Sequence, residues 1–227
     1  MKTRIKLIAL ICMLTTAAWA QEESEPDAFV YPETVVTNWA DTPLQVTVTN
    51  PKAIARDFAR AVCSQFTDYL PNKKMIEYLD DRAGYSYEKN ECLIEDLPAN
   101  GFLKCDMAWQ CDYNTEVCYW RRPNKHLLVG VLMQVGSEGE GVQTRHSLLF
   151  YDYNPKTRVM TPQPDIVEDV EHTIAFHRGT PNLQLPNAGK DIEALCVEWI
   201  GSEDEDFRFD RVVLKWKNNT FKTGAER

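Results

Sequence analysis

The stretch CYWRRPNKHLLVGVLMQV, residues 118–135, decides the fold class, because it has the pattern of two β-strands joined by a tight turn. The turn lies at Arg122-Pro123-Asn124-Lys125, where Pro and Asn favour a change of chain direction. The apolar run from Leu127 to Val135 that follows is long enough for a strand. We therefore expect consecutive antiparallel strands in this part of the chain.

Further strands are predicted on both sides of this stretch. Cys105, Met107, Trp109 and Cys111 alternate with other residues at a period of two, which is typical of a strand with the cysteines on one face. Residues 112–115 are interpreted as a turn. Later segments with strand composition are 147–153, 158–161, 192–200 and 207–217. Strands that follow one another through short turns form an antiparallel meander.

Helices are predicted before the strands. Asn50 and Pro51 are typical of a helix start, and apolar residues then recur at helical spacing as far as Tyr69. Pro71 is interpreted as the break before a second helix that begins near Asn72. A further short helix is indicated at 165–171. The fold class is therefore α+β, with an N-terminal amphipathic helix pair followed by an antiparallel β-meander sheet.

The first 20 residues have the features of a cleavable signal peptide. Three cations precede an apolar run at 7–14, and Ala18-Trp19-Ala20 provides the small residues that signal peptidase requires. The run is shorter than the ~20 residues that span a bilayer. We expect cleavage between Ala20 and Gln21, and an exported, soluble protein that resides in the periplasm or outside the cell.

The remaining chain divides into three parts. Residues 21–50 are an acidic leader whose β-branched pieces are compatible with an edge strand, 51–222 are a single α+β domain, and 223–227 are a tail. Loss of the signal leaves 22 Lys and Arg against 34 Asp and Glu, a net charge of −12. This acidity argues against nucleic acid as a partner, because phosphate backbones require clustered cations. No later stretch predicts a membrane span.

Six cysteines remain after cleavage, and an even number in an exported chain favours at least one disulfide. Buried free thiols are the alternative. Cys111 and Cys118 flank the turn interpreted at 112–115. They are the leading candidates for a bridge, provided that the strand register lets them face each other.

Several segments resemble an uncharacterised exported protein family of Bacteroides-type bacteria. They are 100–104, 118–121, 126–131, 149–154 and 185–192, in a region of roughly 100–222. The resemblance implies an exported, β-rich protein with no assigned activity. It carries over no functional residue, because the shared motifs consist mostly of strand and turn residues.

No motif for catalysis, cofactor binding or metal binding is found. The chain has no Gly-x-Ser-x-Gly elbow and no phosphate-binding glycine loop. His172 and His177, near Glu168 and Glu171, lack the spacing of a zinc-binding helix. The acidic run 202–206 lacks the ligand spacing of a calcium loop. We therefore assign no catalytic, cofactor-binding or metal-binding residue and expect no cofactor.

The missing motifs favour a non-enzymatic exported binding or accessory protein over an enzyme. Its partner would be another protein or a glycan. Aromatic residues on the strands could contact such a partner if they are exposed, although most are expected in the core. The alternative is a divergent secreted hydrolase of glycans or peptides, for which two carboxylates must face each other about 5–9.5 Å apart.

Overall fold

A computed structural model describes residues 42–108, 111–137, 144–200 and 207–223. The predicted signal peptide and its cleavage site, most of the acidic leader, the acidic run 202–206 and most of the tail lie outside these residues. The described part is an α+β fold, as the sequence predicts, and its strands pair antiparallel throughout.

The larger sheet has seven strands in the order β1-β7-β6-β5-β4-β3-β2. The strands are β1 Leu44–Gln45, β2 Leu93–Leu97, β3 Phe102–Ala108, β4 Cys111–Arg121, β5 Leu127–Ser137, β6 Thr144–Asn154 and β7 Val159–Pro162. From β2 to β7 it is the predicted meander. The two-residue β1 pairs with β7 and forms one edge.

A second sheet has four strands in the order β11-β10-β9-β8. They are β8 Thr180–Gln184, β9 Ile192–Trp199, β10 Phe207–Lys217 and β11 Thr220–Thr223. The sequence predicts one continuous meander, whereas the structure divides it into two sheets. Four helices complete the described fold: α1 Ala55–Cys63, α2 Leu70–Asp80, α3 Tyr87–Asn90 and α4 Pro164–Ala175.

Both faces of the seven-stranded sheet are covered. On one face, Val129, Val131 and Met133 belong to a core that includes α1 and α2. On the other, Leu128 and Leu132 belong to a core that includes α4 and the four-stranded sheet. Successive strand residues point to opposite faces, so a strand between two cores needs apolar residues at nearly every position. This explains the unbroken apolar run in β5.

The predicted helix pair is confirmed, but its boundaries differ from the prediction. The first helix begins at Ala55 because Asp57 accepts hydrogen bonds from the backbone N–H groups of Ile54 (3.0 Å) and Thr49 (3.2 Å). Asp57 thereby holds the preceding loop against the start of α1, and no side chain caps the first amides of this helix, so the cap expected of Asn50 is not formed. α1 ends at Cys63, and Pro71 lies in the first turn of α2. Proline is tolerated there because backbone N–H groups in the first turn have no acceptor within the helix.

Asn72 connects the helix pair to the sheet. Its side chain is fully buried and accepts a hydrogen bond from the Thr115 hydroxyl on β4 (2.8 Å) and a weaker one from the Cys63 thiol (3.4 Å). Its amide donates to the Phe66 carbonyl (3.1 Å). A single buried amide thus holds the end of α1, the start of α2 and β4 in one arrangement.

The prediction of a disulfide is confirmed, but the predicted pair is wrong. Cys92 is bonded to Cys105, which joins the start of β2 to β3. Cys118 is a buried free thiol, and residues 111–121 form one strand, so the turn predicted at 112–115 does not exist. The seven-residue separation of Cys111 and Cys118 along this strand is about 23 Å, far beyond the ~7 Å between Cα atoms that a disulfide allows.

Polar side chains of the large sheet bind the edge strand of the small one. The Leu183 N–H donates to the Gln134 side chain (2.9 Å), and the Leu185 N–H donates to the Glu116 carboxylate (2.8 Å). The indole of Trp120 donates to the Lys190 carbonyl (2.8 Å). These contacts fix the small sheet against the large one and satisfy backbone donors that burial would otherwise leave unpaired.

Candidate functional site

Two hairpin turns lie at the same end of the seven-stranded sheet. Antiparallel strands alternate in direction, so the β4–β5 turn at 122–126 and the β6–β7 turn at 155–158 meet at one end. The loop that leads into α1 lies beside them, because the Val46 N–H donates to the Arg158 carbonyl (2.8 Å). The topology therefore brings three distant chain segments together.

A cleft of about 750 Å³ opens between these segments, and its volume is in the range of small-molecule sites. Its lining residues come from the loop before α1, from β4, from the two turns and from the adjoining strand ends. They are Val48, Pro51, Lys52, Ala53, Ile54, Tyr119, Arg121, Arg122, Lys125, His126, Leu127, Tyr153, Pro155 and Arg158.

The charge of the cleft is opposite to that of the protein. Five of these lining residues are Lys or Arg, and none is Asp or Glu. The whole chain has 34 acidic and 25 basic residues, a net charge of −9. A cationic cleft in an anionic protein attracts anions locally while the remaining surface repels them, so the potential favours small anions over extended ones.

Asp152 neutralises only part of this charge. Its carboxylate accepts one hydrogen bond from Arg122 and lies 2.6 Å from Nδ1 of His126. Tyr151 and Tyr153 belong to the helix-side core, so the alternation of β6 places the Asp152 carboxylate on the opposite face. The Arg122 side chain is 9% exposed, and its Nε has no hydrogen-bond partner in the described structure.

The remaining four cations are free of such partners. Lys52, Arg121, Lys125 and Arg158 are exposed and make no ion pair or hydrogen bond through their side chains to any described residue. They belong to the loop before α1, the end of β4 and the two turns. A ligand in the cleft can therefore reach their charged groups without displacing an internal partner.

Two tyrosines form the floor of the cleft. The half-buried Tyr119 and the buried Tyr153 pack edge-on against Phe58 of α1, with ring centroids 5.6 and 4.9 Å away. Gly101 makes room for Tyr119: it has a φ of 71°, and a Cβ there would lie 2.7 Å from the tyrosine ring. Burial raises the pKa of the Tyr153 hydroxyl, so it remains a neutral group at physiological pH.

The other residues considered in the sequence are not brought into this cleft. His172 packs its ring on Phe176, and His177 contacts Asp210 of β10 (2.6 Å). His146 contacts Glu171 of α4 (2.8 Å). His146 and His177 therefore connect neighbouring elements, whereas His172 contacts only the end of its own helix. In the described ranges, no three His, Cys, Asp or Glu residues are grouped as a metal site.

The free cysteines that the structure describes do not form a reactive site. Cys63, Cys118 and Cys196 are free and buried. Burial raises the pKa of the Cys63 thiol to about 12 and raises those of Cys118 and Cys196 as well. Because the thiolate is the nucleophile, these side chains are poor nucleophiles at neutral pH.

Several of the strand aromatics whose side chains the structure describes are in the core. Trp120, Tyr151 and Tyr153 are at most 3% exposed, and only Tyr119 among the cleft aromatics keeps substantial exposure. From sequence, residues 122–125 predict only a turn, and a turn considered by itself does not indicate a cleft. The available signal was the placement of cations in alternate turns of a meander, which share one end of the sheet.

Comparisons with protein-family models, curated proteins and solved structures find no match to this chain. Among the described residues, no helix combines the length and the hydrophobicity needed to cross a bilayer.

Proposed function

We propose that this chain is a non-enzymatic exported binding protein whose ligand occupies the cleft at the end of the seven-stranded sheet. The observation that carries the proposal is the reversal of charge: five Lys or Arg residues line a cleft of about 750 Å³ in an acidic chain. The grouping of one charge sign in one concave site favours ligand binding, since solubility alone requires no such grouping.

Export is part of this proposal. The signal-peptide pattern at 1–20 and the Cys92–Cys105 disulfide support it, because disulfides persist in oxidising compartments. The resemblance of 100–222 to exported proteins of Bacteroides-type bacteria supports the same compartment. In the periplasm or outside the cell, such a protein would hold its ligand for transport, storage or presentation to a partner.

A hydrolase remains the alternative, and one observation favours it. His126 lines the cleft with Nδ1 held by Asp152, an arrangement that in other contexts orients a histidine as a general base. The described lining has no Ser or Cys nucleophile and no facing carboxylates. We therefore place binding ahead of hydrolysis.

Native mass spectrometry of the mature chain, purified from the exported fraction, tests the proposal. We expect an additional mass that is lost on denaturation. Ala53→Trp should abolish it, because the bulky ring would enter the cleft, whereas Ala175→Trp at the exposed end of α4 should retain it. Failure to find a mass that depends on Ala53 would contradict the proposal. Release of a cleaved rather than an intact molecule would favour the hydrolase.

A further inference from the structure

The cleft offers a ligand hydrogen-bond donors and few acceptors. Several carbonyl groups of its walls already accept hydrogen bonds within the protein: the Arg122 carbonyl accepts from Lys125 (3.1 Å), and the His126 carbonyl accepts from Arg122 (3.0 Å). In the other turn, the Asn154 carbonyl accepts from the Arg158 N–H (2.8 Å). The side chains of Lys and Arg only donate. The lining cations therefore favour a ligand whose polar groups are acceptors.

The number of free cations sets the charge of the ligand. Lys52, Arg121, Lys125 and Arg158 have no partner among the described residues. One carboxylate, sulfate or phosphate group is typically bound by one or two such side chains, and a single guanidinium can bind it through two parallel hydrogen bonds. Four unpartnered cations on one cleft thus match at least two oxyanion groups.

The remaining lining residues indicate that the part of the ligand that carries these anionic groups, its frame, is apolar. Val48, Pro51, Ala53, Leu127 and Pro155 present apolar surface to the cleft, together with the Tyr119 ring. A free inorganic anion would leave this surface wet, whereas an apolar frame would gain about 25 cal/mol for each Å² that it buries. The cleft also lies at the ends of inner strands, where an extended peptide finds no free sheet edge to pair with.

We infer that the ligand of this cleft is a small amphipathic polyanion, with an apolar frame that carries at least two carboxylate, sulfate or phosphate groups. Lys52, Arg121, Lys125 and Arg158 bind the anionic groups, and the apolar wall with Tyr119 contacts the frame. The inference rests on the proposed binding function and specifies the chemical class of its ligand.

Calorimetric titration with two matched probes tests the number of charges. Naphthalene disulfonate and naphthalene monosulfonate share one apolar frame and differ by one anionic group. We expect the disulfonate to bind about tenfold more tightly, since a hydrogen bond to a charged group contributes about 1.5 kcal/mol or more. Inorganic sulfate, which lacks the frame, should bind more weakly than either. Equal affinity for the two naphthalene probes would overturn the inference.

Charge reversal tests the location. Arg121→Glu combined with Arg158→Glu should weaken disulfonate binding by about a hundredfold, as two charged contacts become repulsive. The matched control is Arg178→Glu combined with Arg208→Glu, two exposed arginines outside the cleft, which changes the net charge of the protein equally. The control should bind within about twofold of the wild type. An equal loss in both variants would mean that overall charge, not the cleft, governs binding, and would overturn the inference.

A third experiment, vesicle sedimentation, distinguishes a free small anion from a lipid headgroup as the ligand. Vesicles of phosphatidylglycerol and of phosphatidylcholine should both fail to sediment the protein. Binding to the anionic vesicles that depends on Arg121 and Arg158, without disulfonate binding, would overturn the assignment to a small molecule. The mass found by native spectrometry keeps the two proposals distinguishable. A neutral ligand in the cleft would refute the polyanion and leave the binding function intact, whereas no cleft-dependent mass would refute the binding function itself.

Discussion

Replacement of Asn72 by Leu should destabilise the protein because several buried groups depend on one amide. The Thr115 hydroxyl is fully buried, and Asn72 is the acceptor of its hydrogen bond at 2.8 Å. An unsatisfied buried polar group costs about 1–3 kcal/mol, and loss of the hydrogen bond to the Phe66 carbonyl adds about 1 kcal/mol. We therefore expect Asn72→Leu to lower the free energy of unfolding by about 2–4 kcal/mol.

The partner substitution isolates the Asn72–Thr115 hydrogen bond. Thr115→Val preserves the shape of the side chain and leaves the Asn72 carbonyl oxygen with the weaker Cys63 contact at 3.4 Å, at a cost of about 1–2 kcal/mol. Each single variant loses the Asn72–Thr115 hydrogen bond, so the sum of the two single effects counts this bond twice, whereas the double variant loses it only once. The double variant should therefore be about 1–2 kcal/mol more stable than the sum of the two single effects predicts.

Equilibrium unfolding in urea, on the mature chain with its Cys92–Cys105 disulfide intact, measures all four members of the cycle. The midpoints should shift while the dependence of free energy on urea stays constant, which keeps the comparison within a two-state description. Additive effects within about 0.5 kcal/mol would refute the coupling through Asn72. A change of less than about 0.5 kcal/mol in Asn72→Leu would refute the claim that this amide connects helices and sheet.

Three further perturbations test the core and the buried ionisable groups. Thiol alkylation of the native protein at neutral pH should leave Cys63 and Cys118 unmodified, because burial raises the pKa of both thiols, and rapid labelling before denaturation would contradict this. Burial also raises the pKa of the Glu116 carboxyl above its ordinary value of 4.5. As the pH rises, Glu116 therefore loses its proton at a lower pH in the unfolded chain than in the folded protein. The wild type should therefore lose stability relative to Glu116→Gln as the pH rises from about 4.5, and a difference independent of pH would contradict the assignment. Gly130→Val should lower the free energy of unfolding by about 1–3 kcal/mol, because even a Cβ there would lie 2.8 Å from the Trp120 ring, and a thermal midpoint equal to that of the wild type would exclude this clash.

The fold class could be predicted from the sequence, whereas the candidate cleft could not. The two turns that line the cleft are visible in the sequence through Pro123, Asn124 and Pro155. Their cations are equally visible, but surface turns commonly carry charges, so no single turn indicates a site. Only the pairing order β4-β5-β6-β7 places 122–126 beside 155–158 and the loop before α1. Ligand sites of this kind depend on contacts between residues that are distant in sequence, and local patterns do not encode those contacts.

The disulfide illustrates the same limit. The number of cysteines predicts a bridge, but the choice of partners requires the strand register. The interpretation of 112–115 as a turn favours a disulfide between Cys111 and Cys118, which would lie on either side of that turn. In the structure these residues belong to β4, because the ladder with β5 continues through them from Arg121 to Cys111. Pairing along a strand overrides the local preference of Asp and Asn for turns.

The sequence by itself determined the elements of this protein: helical and alternating apolar periods predicted the helix pair and most strands, and their order predicted the α+β class. These signals are local, because a helix or strand must place apolar residues on whichever of its faces is buried. The division into two sheets, the Cys92–Cys105 bridge, the Asn72 network and the cationic cleft were decided only by the tertiary structure. Each of them joins residues that are distant in sequence and are brought together by strand pairing or by packing on the faces of the large sheet, and the free energy of those contacts belongs to the whole chain and to no single segment.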